Sequence, residues 1–269
     1  MKSDSSTGTN YFKMILEVDI GNSRIKWRLR SENTIILSSV SDNTEDPDSI
    51  FDLKGIQPTA VWLSTVAPSL QQKISQWCYR RFGIQPQCAL VTRERAGVNN
   101  GYNAPSQLGV DRWLAVLAAF QLIKGACVVI DCGTACTIDI VAENGQHKGG
   151  YIVPGIKMMS DTLYQNTEGV KKPPTTYHDI LTTPGRSTDE AVKAGLAVMI
   201  IGLIDYTLRE SSLNNSNVSI LLTGGDGELF QRILADRLGL NVEFRAELVL
   251  DGLQYAEMDS IIRTVGLKS

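Results

Sequence analysis

Two turns that pair an aspartate with a glycine are the segments of this chain best suited to chemistry. The first is Asp19-Ile20-Gly21-Asn22-Ser23, which ends an apolar run over 14–18, and the second is Asp131-Cys132-Gly133-Thr134-Ala135, which ends an apolar run over 127–130. Backbone N–H groups, hydroxyls and carboxylates gathered at such turns suit a polyphosphate and its metal ion. One turn of this kind is common in ordinary hairpins. Two of them at the tips of apolar strands predict a duplicated α/β lobe with a cleft between the copies.

The segment after the first turn begins with Arg24-Ile25-Lys26-Trp27 and alternates polar and apolar residues as far as Arg30. This period predicts the return strand of a hairpin. Lys26 lies on the polar face of that strand, where its ammonium could reach phosphate oxygens held at the turn. A solvated surface lysine is the alternative. No GxxxxGK[ST] motif occurs, which excludes a P-loop.

A loop rich in Gly and Asn over 97–109 leads into Gly109-Val110-Asp111-Arg112 and is predicted to be a ligand surface. Asp111 stands at the start of a predicted helix, where its carboxylate could cap the helix or accept a proton from a hydroxyl. Arg112 offers a fork of N–H donors to a substrate carboxylate. Tyr102 supplies either a ring and a hydroxyl to the site or packing alone.

Two further segments are weaker candidates. Thr223-Gly224-Gly225 follows a predicted strand and precedes a helix, so its bare backbone could approach a nucleotide, although such turns are common. Ser187-Thr188-Asp189-Glu190 begins a long helix, with Ser187 or Thr188 as the N-cap. The two histidines, His147 and His178, have no acid or nucleophile at an informative spacing, and no role is assigned to them.

The elements that must position these residues follow from the apolar periodicity. Strands are predicted over 14–18, 24–30, 34–37, 60–65, 88–91, 127–131, 136–141, 149–152 and 218–222. Helices are predicted over 69–82, 112–124, 187–210, 228–238 and 252–267, with one more after the corner Pro154-Gly155. Hairpins followed by α/β units predict an α/β fold with an N-terminal lobe over 14–124 and a C-terminal lobe over 125–269. The polar residues 1–13 are predicted to form a disordered tail, with Met14 as an alternative start.

The composition is that of a globular protein that binds small ligands. The 269 residues are 43% apolar and 20% charged, with a net charge of −3. The acidic balance and the lack of a long Lys/Arg cluster predict no nucleic-acid partner. The most apolar segment, 194–204, has 11 residues, fewer than the roughly 18 to 20 that span a bilayer, so a buried helix and no membrane partner are predicted. Five cysteines without zinc-binding spacing predict a reduced, cytoplasmic protein.

Five motifs in this order resemble those of the type III pantothenate kinases, which belong to the superfamily of sugar kinases, heat-shock chaperones and actin. The motifs are DIGNSRIKW from Asp19, NGYNAPSQLGVDRW from Asn100, VIDCGTACTIDIV from Val129, GGYIVPG from Gly149 and LLTGGD from Leu221. The resemblance extends from Met14 to about Leu253. It implies two ribonuclease H-like lobes of duplicated topology with ATP in the cleft between them. The implied reaction transfers the γ-phosphoryl group of ATP to the primary hydroxyl of pantothenate, the first step of coenzyme A biosynthesis.

The resemblance also implies roles for the residues that bind ATP and ions. Asp19 to Lys26 matches the family's first phosphate motif, and Asp131 to Thr137 matches the second, in which Thr134 contacts ATP. Gly224 and Gly225 match positions near the adenosine. Asp131 matches the position tied to an activating monovalent cation, K⁺ or NH₄⁺, while Mg²⁺ accompanies ATP.

For the second substrate, the resemblance implies that Asp111 accepts the proton of the hydroxyl. Tyr102 and the segment Gly109 to Arg112 match the pantothenate site. Thr188 matches a threonine that contacts pantothenate from the partner subunit of a homodimer.

Two other functions remain open at the level of the sequence. One is a non-catalytic regulatory accessory factor on the same scaffold, which the complete set of phosphate residues and the lack of a basic patch disfavour. The other is a phosphohydrolase, in which water replaces the alcohol. The substrate segment from Tyr102 to Arg112 argues against it, and the fold alone does not decide.

Overall fold

The computed structural model describes residues 13–168, 182–210 and 218–260. The strands are β1 (Met14–Ile20), β2 (Arg24–Ser31), β3 (Thr34–Asp42), β4 (Ala60–Thr65), β5 (Gln87–Leu90), β6 (Glu94–Arg95), β7 (Val98–Asn99), β8 (Cys127–Cys132), β9 (Ala135–Val141), β10 (His147–Pro154), β11 (Ser219–Thr223), β12 (Val242–Phe244) and β13 (Glu257–Ser260). The α-helices are α1 (Pro47–Ile50), α2 (Pro68–Phe82), α3 (Val110–Ile123), α4 (Ile156–Asn166), α5 (Thr188–Glu210), α6 (Gly227–Leu238) and α7 (Leu248–Gly252). His178 and all of the predicted tail except Lys13 lie outside the described residues.

The described residues divide into two compact units, one made of those up to Ala89 together with 258–260 and the other of those within Leu90–Glu257. The predicted lobe boundary after Lys124 falls later in the chain. The segment that contains α3 belongs to the second unit because α3 packs against α7 and against β8 and β9. The lobes over 14–124 and 125–269 stay a prediction.

The sheet of the first unit has the strand order β13-β5-β4-β1-β2-β3. β1, β2 and β3 form an antiparallel meander, β4 runs parallel to β1, and β5 runs parallel to β4. Successive side chains of a strand point to opposite faces, so Leu16, Val18 and Ile20 all point to one face. There they join a core that also contains Trp77 of α2, whose ring stacks on Phe51 with centroids 4.9 Å apart.

The opposite face of the same sheet buries a charge cluster. Glu17 of β1 is fully buried and accepts hydrogen bonds from Arg28 Nε at 2.5 Å and from Arg30 Nη2 at 2.7 Å. Arg28 is itself only 4% exposed. Two arginines on one strand thus share one carboxylate on its neighbour, and a charge buried in this way is tolerated only while it is paired.

The second unit repeats the topology of the first. Its sheet has the order β10-β9-β8-β11-β12, in which β8, β9 and β10 form an antiparallel meander, β11 runs parallel to β8, and β12 runs parallel to β11. In both units the first strand lies between an antiparallel and a parallel partner, and one helix, α2 or α6, connects the two parallel strands. This repeat confirms the predicted α/β fold of two ribonuclease H-like copies.

Helices cover both faces of the second sheet. Val128, Ile130 and Ile138 pack with residues of α5 and α6 in one core. The other face carries Asp131 and Asp139. Asp131 pairs with Thr137 and Asp139 with Val129, and because these two cross-strand pairs are two residues apart, their side chains point to the same face. α3 packs against this second face. The start of α3 therefore meets the polar side chains of the sheet.

α5 has 23 residues and is long and apolar enough to cross a membrane by those two measures alone. Ala197, Ile200 and Ile204 place one face of α5 in the core of the second unit, as in the core helix of a globular protein. The helix is longer than its apolar centre at 194–204 and is buried along one face only.

The helix predicted over 252–267 is wrong for the residues that the structure describes. α7 ends at Gly252, a 3-10 turn covers Leu253–Tyr255, and β13 follows over Glu257–Ser260. β13 lies beside β5 at the edge of the first sheet. The pairing partner lies more than 160 residues earlier in the chain, so no local period in the sequence signals this strand. Residues 261–267 lie outside the described residues.

We expect Glu17→Ala to lower the free energy of unfolding by about 3–5 kcal/mol, because it leaves the buried Arg28 without its counter-charge. Urea unfolding followed by circular dichroism measures this change. The control is Asp52→Ala, which breaks the exposed pair of Asp52 and Lys54 and should leave the midpoint unchanged. Equal effects of the two substitutions would contradict a special role for the buried cluster.

Candidate active site

The first aspartate-glycine turn closes the β1–β2 hairpin in the first unit. Gly21 N–H donates to the Arg24 carbonyl at 3.0 Å, and Asp19 lies directly opposite Lys26 across the hairpin. The side-chain amide of Asn43, on the segment after β3, donates to the Gly21 carbonyl at 3.5 Å. Asp19 and Lys26 thus lie on one face of the sheet, at the base of a turn that a third chain segment holds in place.

The second turn closes the β8–β9 hairpin in the second unit and packs against the start of α4. Gly155 N–H donates to the Thr134 carbonyl at 2.9 Å. A side chain at position 155 would come within 2.2 Å of the Gly133 carbonyl oxygen, so only glycine allows this close approach. The side chain of Thr134 is exposed on the outside of the turn.

β11 brings the Gly224-Gly225 turn beside Asp131. Thr223 and Asp131 are partners in the parallel ladder of β11 and β8. Gly224 has a φ of +87°, and a side chain there would come within 2.3 Å of Asp131 Oδ1. The structure therefore gathers three predicted residues, Asp131, Thr134 and Gly224, at the carboxyl ends of β8 and β11, where α/β sheets commonly bind ligands.

Among residues 13–168, 182–210 and 218–260, no three His, Cys, Asp or Glu side chains are grouped as a metal site. The turn cluster offers the carboxylate of Asp131 and backbone carbonyl oxygens around it, and Asp226 lies beside them, since its N–H donates to the Cys132 carbonyl at 2.9 Å. Such hard oxygen donors fit K⁺, NH₄⁺ or phosphate-bound Mg²⁺ better than a transition metal. The monovalent-cation site at Asp131 stays a prediction.

Asp111 is the second residue of α3 and does not cap it. The N-cap is Gly109, without a side-chain cap bond, and Asp111 Oδ1 accepts the backbone N–H of Arg112 at 2.8 Å. A side chain at position 109 would come within 2.5 Å of that oxygen, so the glycine makes room for the carboxylate. Burial raises the pKa of Asp111 above its usual range, against the opposing effects of the Arg112 backbone N–H and charge. A raised pKa makes the carboxylate a better proton acceptor.

Arg112 points from the start of α3 to the second sheet. Its Nε donates to Asp139 Oδ2 at 2.8 Å and its Nη2 to Asp139 Oδ1 at 2.6 Å. Its Nη1 donates to the hydroxyl of Tyr102 at 2.7 Å. Arg112 is 6% and Asp139 2% exposed, so this is a bidentate pair held away from water.

The backbone that carries Tyr102 is also held by side chains. Asn100 Oδ1 accepts the Tyr102 N–H at 2.9 Å, and Arg93 Nη1 donates to the Tyr102 carbonyl at 3.0 Å. The ring of Tyr102 lies parallel to that of His147, with centroids 6.0 Å apart and planes at 9°. The predicted substrate residues Tyr102, Asp111 and Arg112 therefore do come together.

Thr188 is the first residue of α5, and its side chain is exposed. Ser187 Oγ accepts the Glu190 N–H at 3.3 Å, and Glu190 Oε2 accepts the Arg186 N–H at 2.7 Å. These bonds form a variant of the capping box with Ser187 as the N-cap. In the described part of the chain, no hydrogen bond joins Thr188 to the residues around Arg112.

Sequence reasoning missed Asp139 and His147, which the structure joins to Arg112. Asp139 lies in a predicted strand, and a carboxylate inside an otherwise apolar strand signals a buried partner. His147 gives no such local signal, because its partners are 8 and 46 residues away in the chain.

Comparison with known proteins agrees with the resemblance that the five sequence motifs indicate. A family model described as "Type III pantothenate kinase" matches residues 15–210. A type III pantothenate kinase of Pseudomonas fluorescens strain SBW25 is 36% identical over 223 residues, which cover 80% of this chain and 90% of that protein. The family match thus spans most of the chain.

Two solved structures have a similar fold. One, from Campylobacter jejuni, is described as a Baf family transcriptional activator; its TM-score is 0.54 at 19% identity, with 89% of this chain and 95% of that chain covered. The other, from Sinorhizobium meliloti, is described as a 2-dehydro-3-deoxygalactonokinase; its TM-score is 0.53 at 16% identity, with 89% and 97% covered. At these identities the likeness concerns the fold alone.

We expect Asp111→Asn to be more stable than the wild type at neutral pH. Because the native pKa of Asp111 is raised, the native state binds the proton more tightly than the unfolded state, where the pKa is about 3.9. Wild-type stability therefore falls as pH rises from that value to the native pKa, while the uncharged asparagine escapes this loss. Urea midpoints of both proteins from about pH 4 to about pH 8 should diverge as pH rises. A variant less stable than the wild type at neutral pH would contradict this.

Proposed function

The chain belongs to the type III pantothenate kinase family, and we propose that it transfers the γ-phosphoryl group of ATP to the primary hydroxyl of pantothenate, the first step of coenzyme A biosynthesis. The observation that carries the proposal is the pairing of two adjacent residues at the start of α3. Asp111 is a partly buried carboxylate with a raised pKa, and Arg112 is a guanidinium fixed by Asp139 and Tyr102. A proton acceptor beside an anion receptor suits an alcohol substrate that also bears a carboxylate.

In this proposal Asp111 orients the attacking hydroxyl and accepts its proton. Phosphoryl transfer depends on alignment of the nucleophile and on neutralisation of charge more than on any covalent step with the protein. In a loose transition state the hydroxyl loses its proton late, as the new P–O bond forms, and Asp111 accepts it then. Arg112 and Tyr102 bind the substrate carboxylate. The backbone of Gly109 and Val110, at the start of α3, lines the same site.

The phosphates of ATP are proposed to bind at the aspartate-glycine turns. In the first unit these are Asp19 to Ser23 with Arg24, Ile25 and Lys26 of β2, where the ammonium of Lys26 offsets phosphate charge. In the second unit Thr134 offers a hydroxyl, and Gly224 and Gly225 allow close approach of the nucleotide. A monovalent cation is proposed at Asp131, whose carboxylate lies among backbone oxygens, and Mg²⁺ is proposed to bind with ATP. When bound, the ions neutralise phosphate charge.

A coupled assay with ATP, Mg²⁺, K⁺ and pantothenate should show turnover, and Asp111→Asn should lower kcat by about 10²-fold or more, because the general base is lost. Asp52→Asn, which changes an exposed carboxylate of the first unit, is the matched control and should keep full activity. Full activity of Asp111→Asn would remove Asp111 from the mechanism. Hydrolysis of ATP that does not respond to pantothenate would favour the phosphohydrolase instead.

A homodimer is proposed from the exposed side of α5. Its exposed positions Gly195, Val198, Met199, Gly202 and Tyr206 recur at helical spacing along one stripe. Val198 is 49%, Met199 62% and Tyr206 52% exposed, and neighbouring exposed apolar side chains of this kind suit a contact with another protein. A second copy is the proposed occupant because Thr188, at the start of the same helix, matches the residue that reaches the partner's substrate.

We expect Met199→Glu to convert the dimer to a monomer and to raise the KM for pantothenate, since a charge at the centre of an apolar interface opposes association. Sedimentation velocity measures the first effect and initial rates the second. Leu122→Glu on α3, where Leu122 is 48% exposed, is the control and should change neither. A wild-type protein that sediments as a monomer at micromolar concentration would contradict the proposed dimer.

The regulatory accessory factor has no support beyond a likeness of fold to one structure described as a transcriptional activator.

A cytoplasmic location is proposed from the cysteines, all five of which are free thiols in the described chain.

A further inference from the structure

Two buried residues lie behind Arg112: Asp139, which pairs with it, and His147, which has no part in the reaction as proposed so far. They are 2% and 1% exposed, and His147 Nε2 lies 2.9 Å from Asp139 Oδ1. Burial of a carboxylate and an imidazole is unfavourable unless both are fully hydrogen-bonded. Their hydrogen bonds therefore indicate what the pair does.

The tautomer of His147 follows from its second nitrogen. The backbone N–H of Gly101 donates to His147 Nδ1 at 3.4 Å, so Nδ1 is the acceptor and Nε2 carries the proton in the neutral ring. Nε2–H then donates to Asp139 Oδ1. Because both nitrogens are occupied, His147 has no lone pair for a substrate proton, and a role as general base is excluded.

The carboxylate of Asp139 accepts three hydrogen bonds, two from Arg112 and one from His147. The two bonds from Arg112 fix the plane of the guanidinium. The bond from His147 fixes the carboxylate of Asp139. The ring of His147 also stacks on Tyr102, whose hydroxyl accepts a hydrogen bond from Arg112, so the four residues form a closed ring of contacts.

Arg112 has five N–H donors, and the described residues use three of them: Nε–H, one on Nη2 and one on Nη1. One N–H on each terminal nitrogen has no partner among those residues. Gly150 lies beside this edge, where a side chain would come within 3.0 Å of Nη2. The two remaining N–H groups, one on each terminal nitrogen, are the donors left for a ligand.

We propose that Asp139 and His147 are positioning residues that hold Arg112 in one orientation, with its remaining N–H pair presented to the carboxylate of the substrate. This inference rests on the proposed function, and it explains how the site recognises the carboxylate of the substrate. An arginine already fixed loses little side-chain entropy when the ligand binds.

Initial rates for Asp139→Asn, His147→Phe and His147→Gln, with each substrate varied, test the inference. Phenylalanine keeps a ring next to Tyr102 but offers no donor, while glutamine keeps a donor and an acceptor. We expect the KM for pantothenate to rise about tenfold or more in the first two variants, the scale of a lost charged hydrogen bond. His147→Gln should recover most of that loss, and the KM for ATP should stay within about twofold in all three.

A merely structural role predicts a different result: kcat falls with the active fraction, and both KM values stay unchanged. That outcome, or an equal loss in His147→Gln and His147→Phe, would overturn the inference. If the wild type phosphorylates no pantothenate, the proposed function fails, and this is a separate outcome.

The orientation of Arg112 is measurable without turnover. In protein labelled with ¹⁵N-arginine, the Nε–H signal that disappears in Arg112→Lys belongs to Arg112. We expect slow solvent exchange of this signal in the wild type, fast exchange in Asp139→Asn, and intermediate exchange in His147→Phe. Equally fast exchange in the wild type and in Asp139→Asn would overturn the positioning role, whatever the activity of the protein.

Discussion

The buried ion pair between Arg112 and Asp139 is the interaction on which the arrangement of the second unit's site depends. It joins the first turn of α3 to the middle of β9, with N···O distances of 2.8 and 2.6 Å. A buried pair of this kind adds little net stability, because desolvation of the two charges offsets much of their attraction. Its value lies in geometry, since a bidentate contact permits only one orientation of the guanidinium and so of the helix start that also carries Asp111.

Close backbone packing is the second constraint, and glycine meets it. Gly109 leaves room for the carboxylate of Asp111, Gly155 lets α4 begin against the β8–β9 turn, and Gly224 lies against Asp131. In each case a Cβ would come within 2.5 Å of an oxygen atom. The glycines therefore allow carboxylates and carbonyls to gather where a larger residue would push them apart.

In the first unit, hydrogen bonds and buried ion pairs, rather than close packing at glycines, hold the turn residues in place. There the turn of Asp19 is held by the amide of Asn43, and the two strands that the turn joins carry the buried pair of Glu17 and Arg28. Apolar residues fill one face of this sheet, while the other face carries the paired charges of Glu17, Arg28 and Arg30 beside the buried Ile15 and Ser64. Because the buried charges of Glu17, Arg28 and Arg30 are paired, this face can also carry Asp19 and Lys26 close to the core.

The elements around the site could be predicted because their signals are local. The hairpins after 14 and 127, helix α3 and helix α5 all follow from apolar periods and turn residues within the segment itself. The strand β13 could not be predicted, because it exists through pairing with β5 in a distant segment. The short elements α1, β6, β7 and β12 contain too few residues for a period to show.

By itself, the sequence determined the family, the duplicated hairpin turns and the residues Tyr102, Asp111 and Arg112 as one candidate group, because motif order and residue type are written along the chain. Tertiary structure alone decided what surrounds that group. Asp139 and His147 reach Arg112 and Gly101 across 27 and 46 residues, and burial then raises the pKa of Asp111. Hydrogen bonds and desolvation depend on distance in space, which the sequence specifies only through the fold.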